Sequence, residues 1–381
     1  MDFNLSEEQQ QLQDMLRRYV AKDYTFDKRR QIVASEVGYS PEAWKTFAEM
    51  GLLGVTFPEE FGGLGGNAFD TLVVMEAFGR GLVVEPYLAT VVLCGGLIRD
   101  AGSQAQKEAL LPAIAGGELL MAFAHYEVDS RYALSKVATT AEKRGDGYVL
   151  NGAKSVVLHG EQAGKLIVSA RTSGGERDAD GISLFLVDVD AAGVSRRGYR
   201  TQDEQRAAEI KLQNVQVGAD ALIGEEGKAL PLIERTIDLG IAALCAEAVG
   251  AMDAANEQTL EYLKTRKQFG QPIGKFQVLQ HRMADMVIAA EQARSMAILA
   301  AAKAQQTDDP AERRHKVSAA KVLVGQSARA VGQGAVQLHG GMGVTDEMPI
   351  SHYFKRLTMI NILFGDADHH LSKVSDALLS A

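Results

Sequence analysis

At 381 residues, 46% hydrophobic and 23% charged, the chain has ordinary globular composition and more length than one core needs, so two or three packed units are expected. A formal net charge of −9 and a pI of about 5.5 exclude general nucleic-acid binding, which needs a basic face, but leave room for a local cationic site. Cys94 and Cys245 are the only cysteines; they form neither a disulfide framework nor a C-x-x-C metal pair, and a reducing, cytoplasmic setting is expected.

The opening MDFNLSEEQQQLQDMLRRY is acidic and amphipathic rather than signal-like, and no run of about 18 apolar residues predicts a membrane span. Ser6 is placed to cap a first helix, with Glu7 and Glu8 at its positive end and Leu12, Met15, Leu16 and Val20 at helical spacing. The helical pattern continues to about Ile114, giving an N-terminal helical domain over 1–120 with Trp44 in its packing. PEEFGGLGG at 58–66 is a glycine-rich loop between helical segments, without the preceding strand of a dinucleotide fingerprint. From Met121 to Gly224 short alternating runs take over, including LIVSAR, ISLFLVDV and AEIKLQNVQV. Gly145-Asp146-Gly147 and Asn151-Gly152 both read as hairpin turns. With no crossover helices between the strands, 121–225 predicts an antiparallel β-barrel or sandwich. From Lys228 the helical period returns in long, alanine-rich segments near 231–265, 276–306, 310–338 and after Asp366, a C-terminal four-helix bundle over 226–381. The fold class is therefore α+β, multidomain.

Two stretches stand out. R266-K-Q-F-G-Q-P-I-G sets a cation and an aromatic ring at a helix break, and Q337-L-H-G-G-M-G-V ends the third long helix. From the residues alone two readings stay open: Arg266 caps a helix C-terminus with Phe269 in the core, or the loop holds a flat, anionic ligand. In their order and three-block setting these stretches resemble the acyl-CoA dehydrogenase family of flavoproteins over essentially the whole chain. More narrowly the sequence is similar to the small-subunit type described for pimeloyl-CoA and related dehydrogenases. The resemblance implies oxidation of an acyl-CoA thioester to its trans-2-enoyl form, a carboxylate removing the α-proton while a hydride passes to FAD. It also implies a FAD lying across a subunit interface, its adenine-diphosphate half held by loops of the neighbouring chain. Carried onto this sequence, the cofactor-binding residues are Arg266, Gln268, Phe269, Gln277, Gln337, Gly340 and Gly341. The implied partners are an acyl-CoA, a homologous large subunit or a second copy in a dimer of dimers, and an electron-transfer flavoprotein-type acceptor, with no nucleic acid and no membrane.

The sequence departs from the family at the flavin ring and the base. Where the family has a T-E-P-x-x-G-S-D-like segment this chain reads H125-Y-E-V-D-S-R-Y, keeping Glu127 but placing Tyr126 at the Thr position. Where W-I-T-N-G is usual it reads V156-V-L-H-G, so Val156 and Leu158 replace the stacking Trp and the hydrogen-bonding Thr. The two usual base positions hold Phe364 and Gly240, neither able to take a proton, which leaves the catalytic residue unknown and Asp366 as the fallback. Asp238 faces away from the Gly240 position around a helix, and Glu247 lies two turns along it, where pairing on the helix surface is the simpler role. D366-A-D-H-H reads as a helix N-cap rather than a metal site, so no metal is expected; Arg196, Arg197 and Arg200 are either a solvated group or a contact for the 3′-phosphate of coenzyme A. Residues serving a neighbour's FAD are retained while those serving the chain's own ring are altered. A heteromeric assembly of two chains of each kind is therefore expected, in which this chain works with, or only completes the FAD site of, a catalytic large subunit. The competing readings are a complete homotetramer using Asp366 and a flavin-free scaffold.

Overall fold

The structure, a computed structural model, describes residues 5–306 and 308–379. Six helices precede the sheet: α1 (Glu7–Lys22), α2 (Phe26–Ala34), α3 (Pro41–Glu49), α4 (Ala68–Gly81), α5 (Gly96–Ala101) and α6 (Gln104–Ala115), with a π-helical segment at Leu88–Gly95. Eight strands follow: β1 (Met121–Ala124), β2 (Thr140–Arg144), β3 (Gly147–Leu158), β4 (Lys165–Arg171), β5 (Ile182–Asp188), β6 (Val194–Arg200), β7 (Arg206–Gly218) and β8 (Leu222–Ile223). The C-terminal helices are α7 (Leu230–Thr265), α8 (Gln277–Ala304), α9 (Pro310–His339), α10 (Pro349–Ile362) and α11 (Ala367–Leu379), with a small ribbon, β9 (Lys267–Gln268) and β10 (Gln271–Pro272), between α7 and α8. The bundle expected from the sequence is present and carries α10 in addition. No helix among the described residues is long and apolar enough to cross a membrane.

The chain forms two compact units. One comprises Met1–Gln31, Ala68–Val83 and Ile241–Ala381, and is helical apart from the β9–β10 ribbon. Ser6 and Gln9 make the reciprocal capping box that starts α1. Inside the unit α4 and α7 approach backbone to backbone: a Cβ on Gly79 would lie 1.9 Å from the Glu247 carbonyl oxygen, and one on Gly250 would lie 1.8 Å from that of Glu76. Only glycine permits that crossing. The buried Glu247 carboxylate takes two bonds from Arg356, Nε to Oε1 at 2.6 Å and Nη2 to Oε2 at 2.7 Å, which ties α7 to α10. Glu247 is thus a structural anion.

The other unit, Ile32–Asn67 with Val84–Gly240, contains the eight-stranded sheet, seven strands in the order β6-β7-β3-β2-β4-β5-β8 and β1 beside β4 off that path. Most pairs are antiparallel, as expected, but β1 lies parallel to β4 and β2 meets β4 in parallel at Thr140–Arg171, so the sheet is mixed. Its core is Leu150, Leu166, Val168, Phe185, Val187 and Ile210, and the sheet does not close into a barrel among the described residues. Gly145-Asp146 makes the β2–β3 hairpin. Asn151-Gly152 is no turn: it lies inside β3 at a bulge opposite β7, where the Asn151 side chain accepts the Asn214 N–H at 2.8 Å and a Cβ on Gly152 would strike Thr139 Oγ1 at 2.4 Å. The dipeptide serves close packing against Thr139, which local turn statistics cannot report.

Candidate functional site

Five of the seven expected cofactor residues, Arg266, Gln268, Gln337, Gly340 and Gly341, line one pocket of about 500 Å³, with Tyr262, Arg282 and His339 beside them. The pocket forms where α7 ends, the ribbon turns, α8 begins and α9 ends. Phe269 and Gly270 have φ of +54° and +78°, the two left-handed residues of a type I′ turn between β9 and β10. The Ile273 N–H returns to the Arg266 carbonyl at 2.8 Å and closes the ribbon. Gly340 ends α9 with φ +59° and ψ −141°, a glycine conformation, and a Cβ on Gly340 or Gly341 would meet nothing within 4 Å. The backbone there is open to an incoming group. Tyr262 stacks on His339 at 4.3 Å, while His339 Nδ1 sits 2.9 Å from the Ala335 carbonyl. Burial lowers the His339 pKa, which keeps this wall neutral.

The reading of R266-K-Q-F-G-Q-P-I-G as a helix cap with a core aromatic does not hold. The Arg266 guanidinium has no bonded partner among the described residues, so it caps no helix. Phe269 is 91% exposed at the tip of its turn, edge-on to Phe276 at 6.1 Å, and belongs to no core. Phe269 and Gln277 do not line the pocket; both lie exposed, at the turn tip and at the first residue of α8. Sequence reading assigned no role to Arg282, although a signal was present. From Lys264 to Arg282 the chain carries Lys264, Arg266, Lys267, Lys275 and Arg282 and no Asp or Glu, in a chain of net charge −9.

At the usual base positions, Gly240 is buried in unbroken α7, and Phe364 is buried in the turn between α10 and α11 with φ +60°. That turn is held on several sides. Lys321, fully buried, donates through Nζ to the carbonyls of Ile360, Asn361 and Leu363 at 2.5, 3.2 and 2.8 Å, and His370 Nε2 lies 3.1 Å from the Phe364 carbonyl. Burial brings the Lys321 amine down to about 8, the nearby Asp366 charge pulling the other way. Asp366 Oδ1 accepts the His369 N–H at 2.8 Å and so caps α11, the role its motif suggested.

In the sheet unit, Glu127 does not offer a free carboxylate. Its Oε1 takes Lys154 Nζ at 2.7 Å, Thr139 Oγ1 at 2.7 Å and the Thr139 N–H at 3.0 Å, and its Oε2 takes the Ala138 N–H at 2.8 Å. Burial raises the Glu127 pKa, but the Lys154 charge and these donors outweigh it and hold the group at about 2. Lys154 is 1% exposed, and burial brings its amine down to about 8 against the pull of Glu127. Two residues on, Val156 is 45% exposed with φ +51°, an outlier for a β-branched side chain. The Glu209 carboxylate holds this bulge through Ser155 Oγ at 3.0 Å and the Val156 N–H at 3.4 Å, and takes Tyr199 OH at 2.9 Å. Arg196 is structural, donating to the carbonyls of Gly160, Glu161 and Ala163; Arg197 and Arg200 remain exposed.

The sequence profiles of the acyl-CoA dehydrogenase N-terminal, middle and C-terminal domains match residues 6–118, 122–215 and 228–379. A short-chain specific acyl-CoA dehydrogenase from Megasphaera elsdenii is 32% identical over 399 residues, covering 100% of both chains. Among solved structures, the FAD complex of PigA superposes with a TM-score of 0.91 at 27% identity, covering 99% of each chain. The ChsE4–ChsE5 complex from Mycobacterium tuberculosis superposes with a TM-score of 0.89 at 25% identity, covering 100% of each. With three consecutive domain matches and a full-length relative, the chain belongs to the acyl-CoA dehydrogenase family, whose chemistry is CH–CH oxidoreduction.

Proposed function

We propose that this chain serves the FAD-dependent α,β-dehydrogenation of an acyl-CoA thioester as one subunit of a heteromeric enzyme, completing the cofactor site of a catalytic large subunit. The observation that carries this reading is the unequal state of the two half-sites. The pocket around Arg266 has an unpartnered guanidinium, glutamines and open glycine backbone, a donor set that fits a phosphate-bearing ligand. The base positions hold Phe364 and Gly240, Asp366 is engaged as a cap, and Val156 stands where the family stacks an indole.

FAD, when bound, supplies the hydride acceptor. In this reading Arg266 pairs with a pyrophosphate oxygen, and Gln268 and Gln337 donate to the same tract. Gly340 and Gly341 admit the ligand close to backbone, while Phe269 and Gln277 project toward the neighbouring subunit from the turn tip and the start of α8. The same reading divides the chain into domains at 1–120, 121–225 and 226–381, sets two chains of each kind in a cytoplasmic assembly, and passes electrons to an electron-transfer flavoprotein-type acceptor. Likeness to a ChsE4–ChsE5 complex supports the heteromeric part.

The test is the visible spectrum of the purified chain. Colourless protein that acquires flavin and acyl-CoA-dependent activity on co-expression with a large subunit is expected. Stoichiometric flavin reduced by an acyl-CoA in the isolated chain overturns the partner role. Arg266→Gln is expected to weaken FAD retention in the assembly by about 1.5–3 kcal/mol, the worth of one hydrogen bond to a charged group.

A further inference from the structure

We propose that Arg282 is a second phosphate-binding cation of this pocket, and that the pair Arg266–Arg282 selects a nucleotide carrying a diphosphate over one carrying a monophosphate. The inference rests on the reading of the pocket as a nucleotide site and adds to it a residue and a selectivity. Arg266 enters from the end of α7 and Arg282 from the second turn of α8, and both line the same 500 Å³ space. Neither guanidinium has a hydrogen-bond or ion-pair partner among the described residues. Val278, Leu279 and Arg282 line the pocket from α8, and Arg282 is exposed.

Two like charges sharing one concavity repel each other, and no Asp or Glu lies between Lys264 and Arg282 in the sequence. The first turn of α8 has no acidic residue. Two other guanidiniums of this unit are answered by carboxylates: Arg356 by Glu247, and Arg294 by Glu76 and Asp253. An anion with charge on two adjacent phosphates offsets both pocket cations at once. A monophosphate brings less negative charge to the same two cations.

The experiment titrates the full-length purified chain with ADP and with AMP by calorimetry, in wild type, Arg282→Gln and Arg266→Gln, alongside FAD content of the assembled enzyme. Wild type is expected to bind ADP about tenfold or more tighter than AMP, the worth of one charge-assisted contact. Arg282→Gln is expected to lose most of that ratio while AMP binding changes little, and Arg282→Lys to recover part of it. An unchanged ADP/AMP ratio in Arg282→Gln overturns the inference while leaving the Arg266 site standing. No ADP binding by wild type with FAD retained in the assembly also overturns it alone. FAD retention and ADP binding both indifferent to Arg266→Gln overturn the nucleotide reading of the pocket itself.

Discussion

Replacing Glu247 by Gln separates a structural anion from a proton acceptor. The carboxylate is 3% exposed and its partner Arg356 6% exposed, joined by two charge-assisted bonds of 2.6 and 2.7 Å. Glutamine has the same shape, but its amide N–H groups face guanidinium N–H groups and its charge is gone. One bond is kept at best, and the buried Arg356 guanidinium loses the charge that Glu247 brings to it. Removing one partner of a buried pair costs about 3–5 kcal/mol, far more than the pair contributes over an apolar replacement. At a urea dependence of about 3 kcal/mol per molar, the unfolding midpoint of this helical unit falls by about 1–2 M. The assay is urea denaturation followed by far-UV circular dichroism at fixed protein concentration. The double variant Glu247→Met with Arg356→Leu, which removes both charges, is expected to recover at least half of the loss. A midpoint shift worth less than about 1 kcal/mol, accompanied by loss of acyl-CoA turnover in the assembled enzyme, would refute this reasoning and make Glu247 a catalytic base.

Gly250→Ala puts a Cβ 1.8 Å from the Glu76 carbonyl oxygen, so α4 and α7 must separate; a loss of about 1–3 kcal/mol or more is expected in the same urea assay. Phe364→Glu restores a carboxylate on a turn already held by Lys321 and His370, yet under the partner-subunit reading it yields no turnover by the isolated chain. A gain of about a hundredfold in acyl-CoA-dependent flavin reduction, the scale of a positioned general base, contradicts that reading. Glu127 has a folded pKa of about 2, depressed from 4.5, so its stabilising contribution is present above pH 4.5 and is lost as pH falls from 4.5 toward 2. Lys154 runs the other way: its folded pKa of about 8 lies below 10.5, so the unfolded chain binds more protons between those values and stability from this group rises with pH there. Glu127→Gln is expected to flatten the acid limb of the unfolding midpoint against pH, and an unchanged acid limb contradicts the assignment.

Helical blocks at both ends, strands between them, a capping box at Ser6, an N-cap at Asp366 and the cationic loop after α7 were all legible in the sequence. Each depends on residues close together in the chain, through periodicity, caps and turns. Tertiary structure alone decided the remainder. Asn151-Gly152 became a bulge inside β3 because Thr139 packs where a side chain would stand. Two strands paired in parallel with β4, a choice made by neighbours far apart in sequence. The Glu127 carboxylate was consumed by Lys154 and Thr139, and that of Glu247 by Arg356, 109 residues away. Charge type is written in the sequence, but whether a charge is answered depends on which distant segment the fold brings beside it. For that reason the partners of Glu127 and Glu247 were not legible in the sequence, and Arg282 joined Arg266 in one pocket only once α8 was set against the end of α7.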